Sequence, residues 1–259
     1  MSRALIIAAK ELRTYLVSPV AWVVATVFLA VTGLLFYNVM AWYTLQSFQL
    51  LQFQQMGQMD QLGQLNVNRL VFEPTFHNMA VTLLLLVPIV TMRLLAEEKK
   101  GRTAQLLFTS PVRLGEIVAG KYAAALLLLS AVLFLTAYMP LMVWTYGSLD
   151  WGPILTSYLG MVLLTGAFVS FGLFASSLTE NQVVAAVLTF GILLVFWLLG
   201  WASQTGGELG PLFEHISIIT HLDPFLRGVV ELQHVAYYVS VSAFGLFLTH
   251  RVLDSARWR

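Results

Sequence analysis

Five stretches of this sequence are long and apolar enough to cross a membrane, and they constrain the fold more than any other feature. They cover residues 19–43, 78–95, 117–144, 153–178 and 183–201. A helix needs about 20 mostly apolar residues to cross the bilayer core, where no water can pair with exposed backbone groups. A composition of 58% hydrophobic and only 10% charged residues agrees with this interpretation. The sequence therefore predicts an all-α membrane protein with one transmembrane domain over residues 1–259.

A sixth stretch, 235–250, is shorter and more polar, and the distribution of charge decides whether it crosses. Twelve of the 14 Lys and Arg residues lie before the first stretch, in or beside the loop at 96–116, or after the sixth stretch. Only Arg69 and Arg227 lie elsewhere. Short segments rich in positive charge stay in the cytoplasm, so both termini and the 96–116 loop are predicted to be cytoplasmic. Two termini on one side require an even number of crossings, which predicts six spans. The extracytoplasmic segments are then 44–77 and 202–234.

The first 18 residues precede the first stretch and have the pattern of a helix that lies in the membrane surface. Apolar residues recur at helical spacing along one side, namely Leu5, Ala8, Ala9, Leu12, Tyr15 and Leu16. Charged residues occupy the other side, namely Arg3, Lys10, Glu11 and Arg13. This amphipathic pattern, directly before a span, predicts an interfacial helix over 1–18. The alternative is a soluble cytoplasmic tail.

The loop at 96–116, AEEKKGRTAQLLFTSPVRLGE, combines a charged run with exposed apolar residues. Gly101 permits a break after the charges, and Thr103 can cap a short helix that ends before Ser110 and Pro111. The apolar side chains of this short helix are Leu106, Leu107 and Phe108. An apolar knob with a charged rim is typical of a protein docking surface. A short helix that rests on lipid explains the same pattern equally well.

Residues 115–122, GEIVAGKY, differ at one position from a nucleotide-binding P-loop. That motif ends in a Ser or Thr that holds Mg²⁺, and it follows a strand and opens a helix of a soluble domain. Here Tyr122 takes the last position, and the stretch opens a membrane span instead. We interpret Gly115 and Gly120 as residues that set the exit of the loop and the close packing of the third span, and Lys121 as an anchor at the cytoplasmic end of that span. No nucleotide site is predicted in this chain.

Other chemistries find little support in the sequence. There is no cysteine, the five histidines do not have the spacing of metal ligands, and no Asp, Glu, Lys or Arg falls in the middle of a span. The sequence lacks the catalytic residues that a membrane enzyme needs. It also lacks the charged midplane groups that ion-coupled carriers and channels often use. A net charge of +1 gives no reason to expect a nucleic-acid partner. No catalytic, metal or cofactor site is predicted.

The run EEKKGRTAQLLFTSPVRLGEIVAGKY resembles the first cytoplasmic loop of ABC-2 type transporter permeases. The shared elements are paired acidic residues, a Gly-x-Thr, a Leu-rich turn, a Pro, and a Gly-Lys at the start of the third span. The segments AAKELRTYLVSPVAWVV and ITHLDPFLRGVVEL resemble the gliding-motility-associated branch of these permeases. The order of the spans and loops agrees with the resemblance over nearly the whole chain.

This resemblance implies a permease with a type V exporter-like architecture in the bacterial inner membrane. Two separate ATPase subunits would bind ATP and Mg²⁺, and a second copy or a homologous permease would complete the transmembrane part, surrounded by membrane lipid. The 103–108 helix would be the coupling helix that docks on the ATPase. The coupling residues would be Glu97, Glu98, Gly101, Thr103, Leu106, Leu107, Phe108 and Pro111. The alternatives are an ATP-independent carrier or channel, and the branch that serves copper-enzyme maturation.

The resemblance also gives a role to the outer segment, which would act as an outer gate or contact an extracytoplasmic accessory protein. The residues expected to do so are Asp223, Pro224, Arg227 and Gly228. From the residues alone, Asp223 is predicted to cap a short helix with Pro224 at its first position. That helix would dip back between the spans, because irregular backbone at membrane depth must be buried against protein.

Overall fold

The structure, a computed structural model, describes residues 3–55, 66–101, 113–147, 149–205 and 207–257. Within these ranges the chain is helical, with no strand. The helices are α1 (Arg3–Val17), α2 (Pro19–Gln55), α3 (Glu73–Thr91), α4 (Arg93–Lys100), α5 (Leu114–Leu135), α6 (Tyr138–Tyr146), α7 (Trp151–Leu178), α8 (Gln182–Thr205), α9 (Gly210–Ile216), α10 (Asp223–Leu226) and α11 (Leu232–Arg257). A π-helical turn, Asn68–Phe72, precedes α3, and a 3₁₀ turn, Gly207–Leu209, precedes α9. The all-α prediction is confirmed for these residues.

Five helical segments have the length and apolar composition needed to cross a membrane. They are Pro19–Gln49, Asn68–Lys100, Leu114–Tyr146, Trp151–Leu178 and Gln182–Ser203. Each contains one of the five stretches predicted from the sequence, so these five are confirmed as candidate spans. The helices are longer than the predicted spans because polar residues continue the helix beyond its apolar part, as α2 does through its Gln-rich end at Gln55.

The sixth predicted crossing is more polar than the other five. The helix α11 is 26 residues long but too polar to be counted among the five apolar segments. It nevertheless packs along α7 in a parallel direction. A methyl group added at Gly166 would lie 3.7 Å from Ser242 Oγ, and one added at Gly245 would lie 2.5 Å from Ser170 Oγ. Contacts that advance together along both helices mean that α7 and α11 run the same way.

Two of the predicted spans are interrupted, and the interruption of the third span has a local cause. The second span turns at Met92, where α3 ends and α4 begins. The third span breaks at Thr136 and Ala137, between α5 and α6. Pro140 lies in the first turn of α6, where its missing N–H and its ring prevent an α-helical bond to the carbonyl four residues earlier. The break therefore falls where the proline places it.

The helix α7 lies at the centre of the bundle and contacts α3, α5, α8, α10 and α11. Small residues permit these close approaches. A methyl group at Gly172 would lie only 2.2 Å from Thr91 Oγ1 of α3, and one at Gly160 would lie 2.8 Å from Phe225 Cβ of α10. In contrast, α2 and α8 leave most of their apolar surface exposed. The chain thus has a buried centre and two helices whose sides are open to lipid or to another chain.

Candidate functional site

The N-terminal helix α1 packs directly on the start of α5. A methyl group at Gly120 would lie 2.8 Å from Ile7 Cβ and 2.9 Å from the Ala4 carbonyl oxygen, so only glycine fits this crossing. Ala8 and Tyr15 are the buried residues of α1, and the Tyr15 hydroxyl donates a hydrogen bond to the Val90 carbonyl of α3 at 3.4 Å. Of the predicted apolar stripe, Leu5 and Leu16 are 56% and 51% exposed, so these side chains do not pack within the bundle and remain available to a membrane surface.

Glu11, expected on the polar side of α1, instead belongs to its packed face. The reason is Lys121, whose side chain is only 2% exposed. Its Nζ lies 3.1 Å from Glu11 Oε1 of α1 and 2.8 Å from Glu98 Oε1 of α4. Lys121, predicted to anchor the end of the third span, thus joins this end to α1 and α4 through buried ion pairs and does not extend to the surface. Its ammonium is buried between two carboxylates, because charges withdrawn from water need partners of opposite sign.

Ser176 of α7 holds the turn between α3 and α4. Its Oγ accepts hydrogen bonds from the backbone N–H groups of Leu95 and Ala96, both at 3.0 Å, and donates to the Met92 carbonyl at 3.0 Å. These backbone groups lose their helical partners at the turn. Ser176 therefore fixes α7 to this turn through three hydrogen bonds.

Further bonds fix α4 to its neighbours. Arg93 Nη1 donates to Ser18 Oγ at 3.0 Å, which joins α4 to the connection between α1 and α2. Lys99 Nζ donates to the Ser177 carbonyl of α7. Together with Glu98, these contacts tie α4 to α1, α5 and α7. We call this set, built around Lys121 and Ser176, the inner joint.

The predicted coupling residues lie partly within and partly beyond the described ranges. Glu98 belongs to the inner joint, whereas Glu97 is exposed and pairs with Arg93 at 3.7 Å within α4. Gly101 ends α4, with its N–H bonded to the Glu97 carbonyl at 2.9 Å. The other coupling residues are Thr103, Leu106, Leu107, Phe108 and Pro111. They fall in the 102–112 segment, outside the described residues.

The chain re-enters the described part at Arg113. Arg113 precedes α5, and its backbone N–H donates to Glu116 Oε2 at 3.0 Å, which fixes the first turn. The 102–112 segment therefore connects the end of α4 to the start of α5, and both are attached to the inner joint. The GEIVAGKY stretch lies wholly on α5, with no strand before it in the described residues.

The sequence predicted a docking loop but not the joint that carries it. A signal for the joint was present, because Lys121 is the one Lys or Arg in the apolar run from 117 to 144. A charge just inside a span requires a partner. The sequence did not identify Glu11 as a partner of Lys121 or Ser176 as part of the joint, since both come from distant segments of the chain.

At the opposite end of the bundle, α10 is buried between the helices, as the sequence predicted. Phe225 is 0% exposed. Its carbonyl accepts a hydrogen bond from Thr156 Oγ1 at 2.7 Å. Gly228 follows with φ near +90°, and a methyl group there would lie 3.0 Å from Pro153 Cγ. A positive φ of this kind favours glycine.

The predicted helix cap at Asp223 is wrong. Leu222 is the cap residue, and Asp223 is the first residue of α10. The Asp223 carboxylate lies 3.2 Å from His77 Nε2 of α3 instead. Arg227 Nε lies 3.5 Å from Glu73 Oε1, also of α3. The proposed outer-gate residues thus join α10 to α3.

An aromatic and histidine cluster holds the outer segment on α11. The His221 ring stacks on Tyr237 with centroids 3.7 Å apart, and it meets His234 edge-on at 5.1 Å. His221 Nδ1 is bonded to the Ser217 carbonyl at 2.9 Å. Burial lowers the pKa of His221 below its ordinary value, because the charged ring loses hydration there.

Comparison with known proteins adds one finding. The family described as "ABC-2 family transporter protein" matches residues 5–242, which is most of the chain. No curated protein matches this chain. The match is to the family as a whole and does not support assignment to the gliding-motility branch.

Proposed function

This chain belongs to the ABC-2 transporter family, and we propose that it is the membrane-spanning permease subunit of an ABC transporter. In this proposal separate ATPase subunits hydrolyse ATP, with Mg²⁺ bound to them and not to this chain. The observation that carries the proposal is the inner joint. It ties α4 and α5, whose ends flank the 102–112 segment, to the rest of the bundle, and this supports a role for the segment in docking an ATPase.

The joint suggests how force from an ATPase would reach the spans. A partner that moves the 102–112 segment pulls on α4 at one end and α5 at the other. Buried Lys121 and Ser176 connect both of these helices to α1 and α7. Packed helices change between discrete arrangements more readily than they deform continuously. We infer that α1, α4, the start of α5 and the end of α7 move together.

We propose that α11 is a sixth span and that both termini are cytoplasmic. The parallel packing of α7 and α11 supports this, since a helix that runs beside a span in the same direction ends on the same side. At about 1.5 Å per residue, 26 residues reach about 39 Å, which is enough to cross a bilayer core. The charge distribution in the sequence places that side in the cytoplasm of a bacterial cell.

The proposed assembly contains two ATPase subunits and a second permease, either another copy or a homologue. The exposed apolar sides of α2 and α8 offer surface for such a partner and for lipid. An extracytoplasmic accessory protein would meet the outer segment around Asp223 and Arg227. We propose export in the manner of type V ABC transporters, without assigning the chain to the gliding-motility or copper-enzyme branch.

The proposal is tested by co-purification. The tagged chain is expressed together with the ABC ATPase whose gene lies nearest to its own. The amount of ATPase recovered is compared between the natural sequence and Leu107→Asp. A charge in the apolar docking surface is expected to reduce recovery about tenfold or more, since buried apolar anchors dominate such interfaces. Leu209→Asp, at an exposed leucine of the outer segment, is the control.

Two results would overturn the proposal. One is equal ATPase recovery with Leu107→Asp and with the natural sequence. The other is transport by the chain in vesicles without any ATPase, which would favour an ATP-independent carrier or channel.

A further inference from the structure

A polar pocket of about 310 Å³ lies at the end of the bundle opposite the inner joint. It is formed where the start of α3, the start of α7 and the residues after α10 meet. Its polar lining residues are Asn66, Asn68, Arg69, Glu73 and Arg227. Its volume falls at the lower end of the range of small-molecule sites, about 300–1,000 Å³. None of these residues belongs to the inner joint.

The walls of the pocket are fixed by buried contacts. Asn68 is buried, and its Nδ2 donates to the Asp150 carbonyl at 2.9 Å, which joins the start of α3 to the start of α7. Leu226 is buried and lines the side formed by α10. Asn66 Oδ1 accepts a hydrogen bond from the Asn68 N–H at 2.9 Å and so shapes the entry into the helix. The pocket is therefore part of the packed fold.

The charge of the pocket is positive, and part of its hydrogen-bonding capacity is unused. Arg69 makes no ion pair or hydrogen bond within the described part of the chain. Arg227 contacts Glu73 through Nε at 3.5 Å, and its two terminal nitrogens make no further bond among the described residues. The lining thus contains two guanidinium groups and one carboxylate. A guanidinium matches a phosphate group in shape and can bind it with two parallel hydrogen bonds.

We propose that this pocket binds a phosphate group with a neighbouring amine, as in a phosphoethanolamine headgroup. Arg69 and Arg227 bind the phosphate, and Glu73 accepts a hydrogen bond from the amine. The depth of the pocket fits a lipid source. Asn68 begins one candidate span and Trp151 begins another, so the pocket lies at the level where lipid headgroups meet a membrane protein. The proposal requires only that these helix starts lie at a membrane surface and is independent of ATPase coupling.

The test uses the purified full chain in maltoside detergent and two probes, soluble O-phosphoethanolamine and phosphatidylethanolamine in mixed micelles. The thermal unfolding midpoint is recorded against probe concentration, and native mass spectrometry counts retained lipid. Arg69→Gln removes one phosphate-binding group that has no described internal partner. Asn66→Asp keeps an acceptor for the Asn68 N–H and adds a negative charge to the pocket.

A matched control exists on the opposite side of the molecule. Asn181 Oδ1 accepts a hydrogen bond from the Val183 N–H at 2.9 Å, in the same local arrangement as Asn66. Asn181→Asp therefore adds the same charge in the same kind of turn, far from the pocket. Its probe affinity is expected to equal that of the natural sequence.

The apparent affinity for phosphatidylethanolamine is expected to fall about tenfold in Arg69→Gln and to fall also in Asn66→Asp. The same loss with soluble O-phosphoethanolamine supports recognition of the phosphate and amine alone, from a soluble or a lipid source. A loss confined to the lipid probe supports the lipid headgroup as the source. The proposal is overturned if the natural chain binds neither probe, or if both pocket variants bind them as tightly as Asn181→Asp does.

Discussion

At the inner end of the bundle, the Lys121 ammonium lies between carboxylates from two other helices. Its distances to Glu98 and Glu11 are 2.8 and 3.1 Å, and its side chain is almost completely buried. Such a group contributes little net stability compared with an apolar packing solution, but its removal leaves the partner charges without a cation. Lys121 therefore specifies how α1, α4 and α5 meet, which an apolar contact would define less sharply.

Replacement of this cation should be costly. Lys121→Met is expected to lower the free energy of unfolding by about 3 kcal/mol, since it leaves two half-buried carboxylates near each other. The double variant Lys121→Met with Glu11→Gln should recover part of the loss. Thermal unfolding in detergent measures both, with exposed Lys100→Met as control. Equal stability of Lys121→Met and Lys100→Met would contradict the role of the buried pair.

The burial of His221 predicts that the stability of the folded chain depends on pH. Burial lowers its pKa from the ordinary value of 6.5, so the folded chain disfavours the charged ring that the unfolded chain accepts. The resulting stability is present above the ordinary pKa and is lost as the pH falls from about 6.5 towards the folded pKa. The unfolding midpoint should drop on acidification through this range. His221→Phe should flatten the dependence, and an unchanged slope in this variant would assign the dependence to another group.

At the scale of the helices, the bundle depends on close crossings between specific faces. The approach of α3 to α7 at Gly172 leaves no space for a methyl group, because Thr91 Oγ1 would lie 2.2 Å away. The approach of α11 to α7 at Ser170 and Gly245 is similarly close. Small residues at helix interfaces in membranes bring backbones together and so replace the hydrophobic driving force that water supplies elsewhere.

The crossing of α3 and α7 gives a direct test. Gly172→Ala is expected to lower the free energy of unfolding by about 1–3 kcal/mol through overpacking. Gly191→Ala in α8 is the matched control, because nothing lies within 4 Å of the added methyl group. Alanine is favoured over glycine in a helix by about 1 kcal/mol, so this control should keep or raise the unfolding midpoint. A Gly172→Ala variant as stable as Gly191→Ala would argue against the tight crossing.

At the scale of the whole molecule, the proposed topology requires that α11 crosses the membrane. The sequence contains no cysteine, so single cysteine substitutions report position without background labelling. Exposed Gln233 and Ser255 lie near the two ends of α11. In intact cells, a membrane-impermeant maleimide should label Gln233→Cys but label Ser255→Cys only after permeabilisation. Labelling of both positions from outside would exclude a sixth span with a cytoplasmic C-terminus.

The sequence by itself determined the fold class, five candidate spans and the ABC-2 family. Apolar length and periodicity are local properties, and the membrane makes them decisive because unpaired backbone cannot lie in lipid. Helix ends were predicted less well, since polar residues such as those of α2 continue a helix beyond its apolar part. The break in the third span had a local signal in Pro140, which removes one helical hydrogen bond. The apolar run continues through this proline, and the sequence therefore predicted one unbroken span.

Only the tertiary structure decided which distant groups meet. Glu11, Glu98 and Lys121 come from three helices, and Ser176 caps a turn more than 80 residues earlier in the chain. The pocket between Arg69 and Arg227 likewise joins segments that no local pattern connects. Sequence periodicity predicts that a face is buried but not which partner buries it. Glu11 therefore reads as a solvated charge in the sequence and becomes part of the inner joint in the fold.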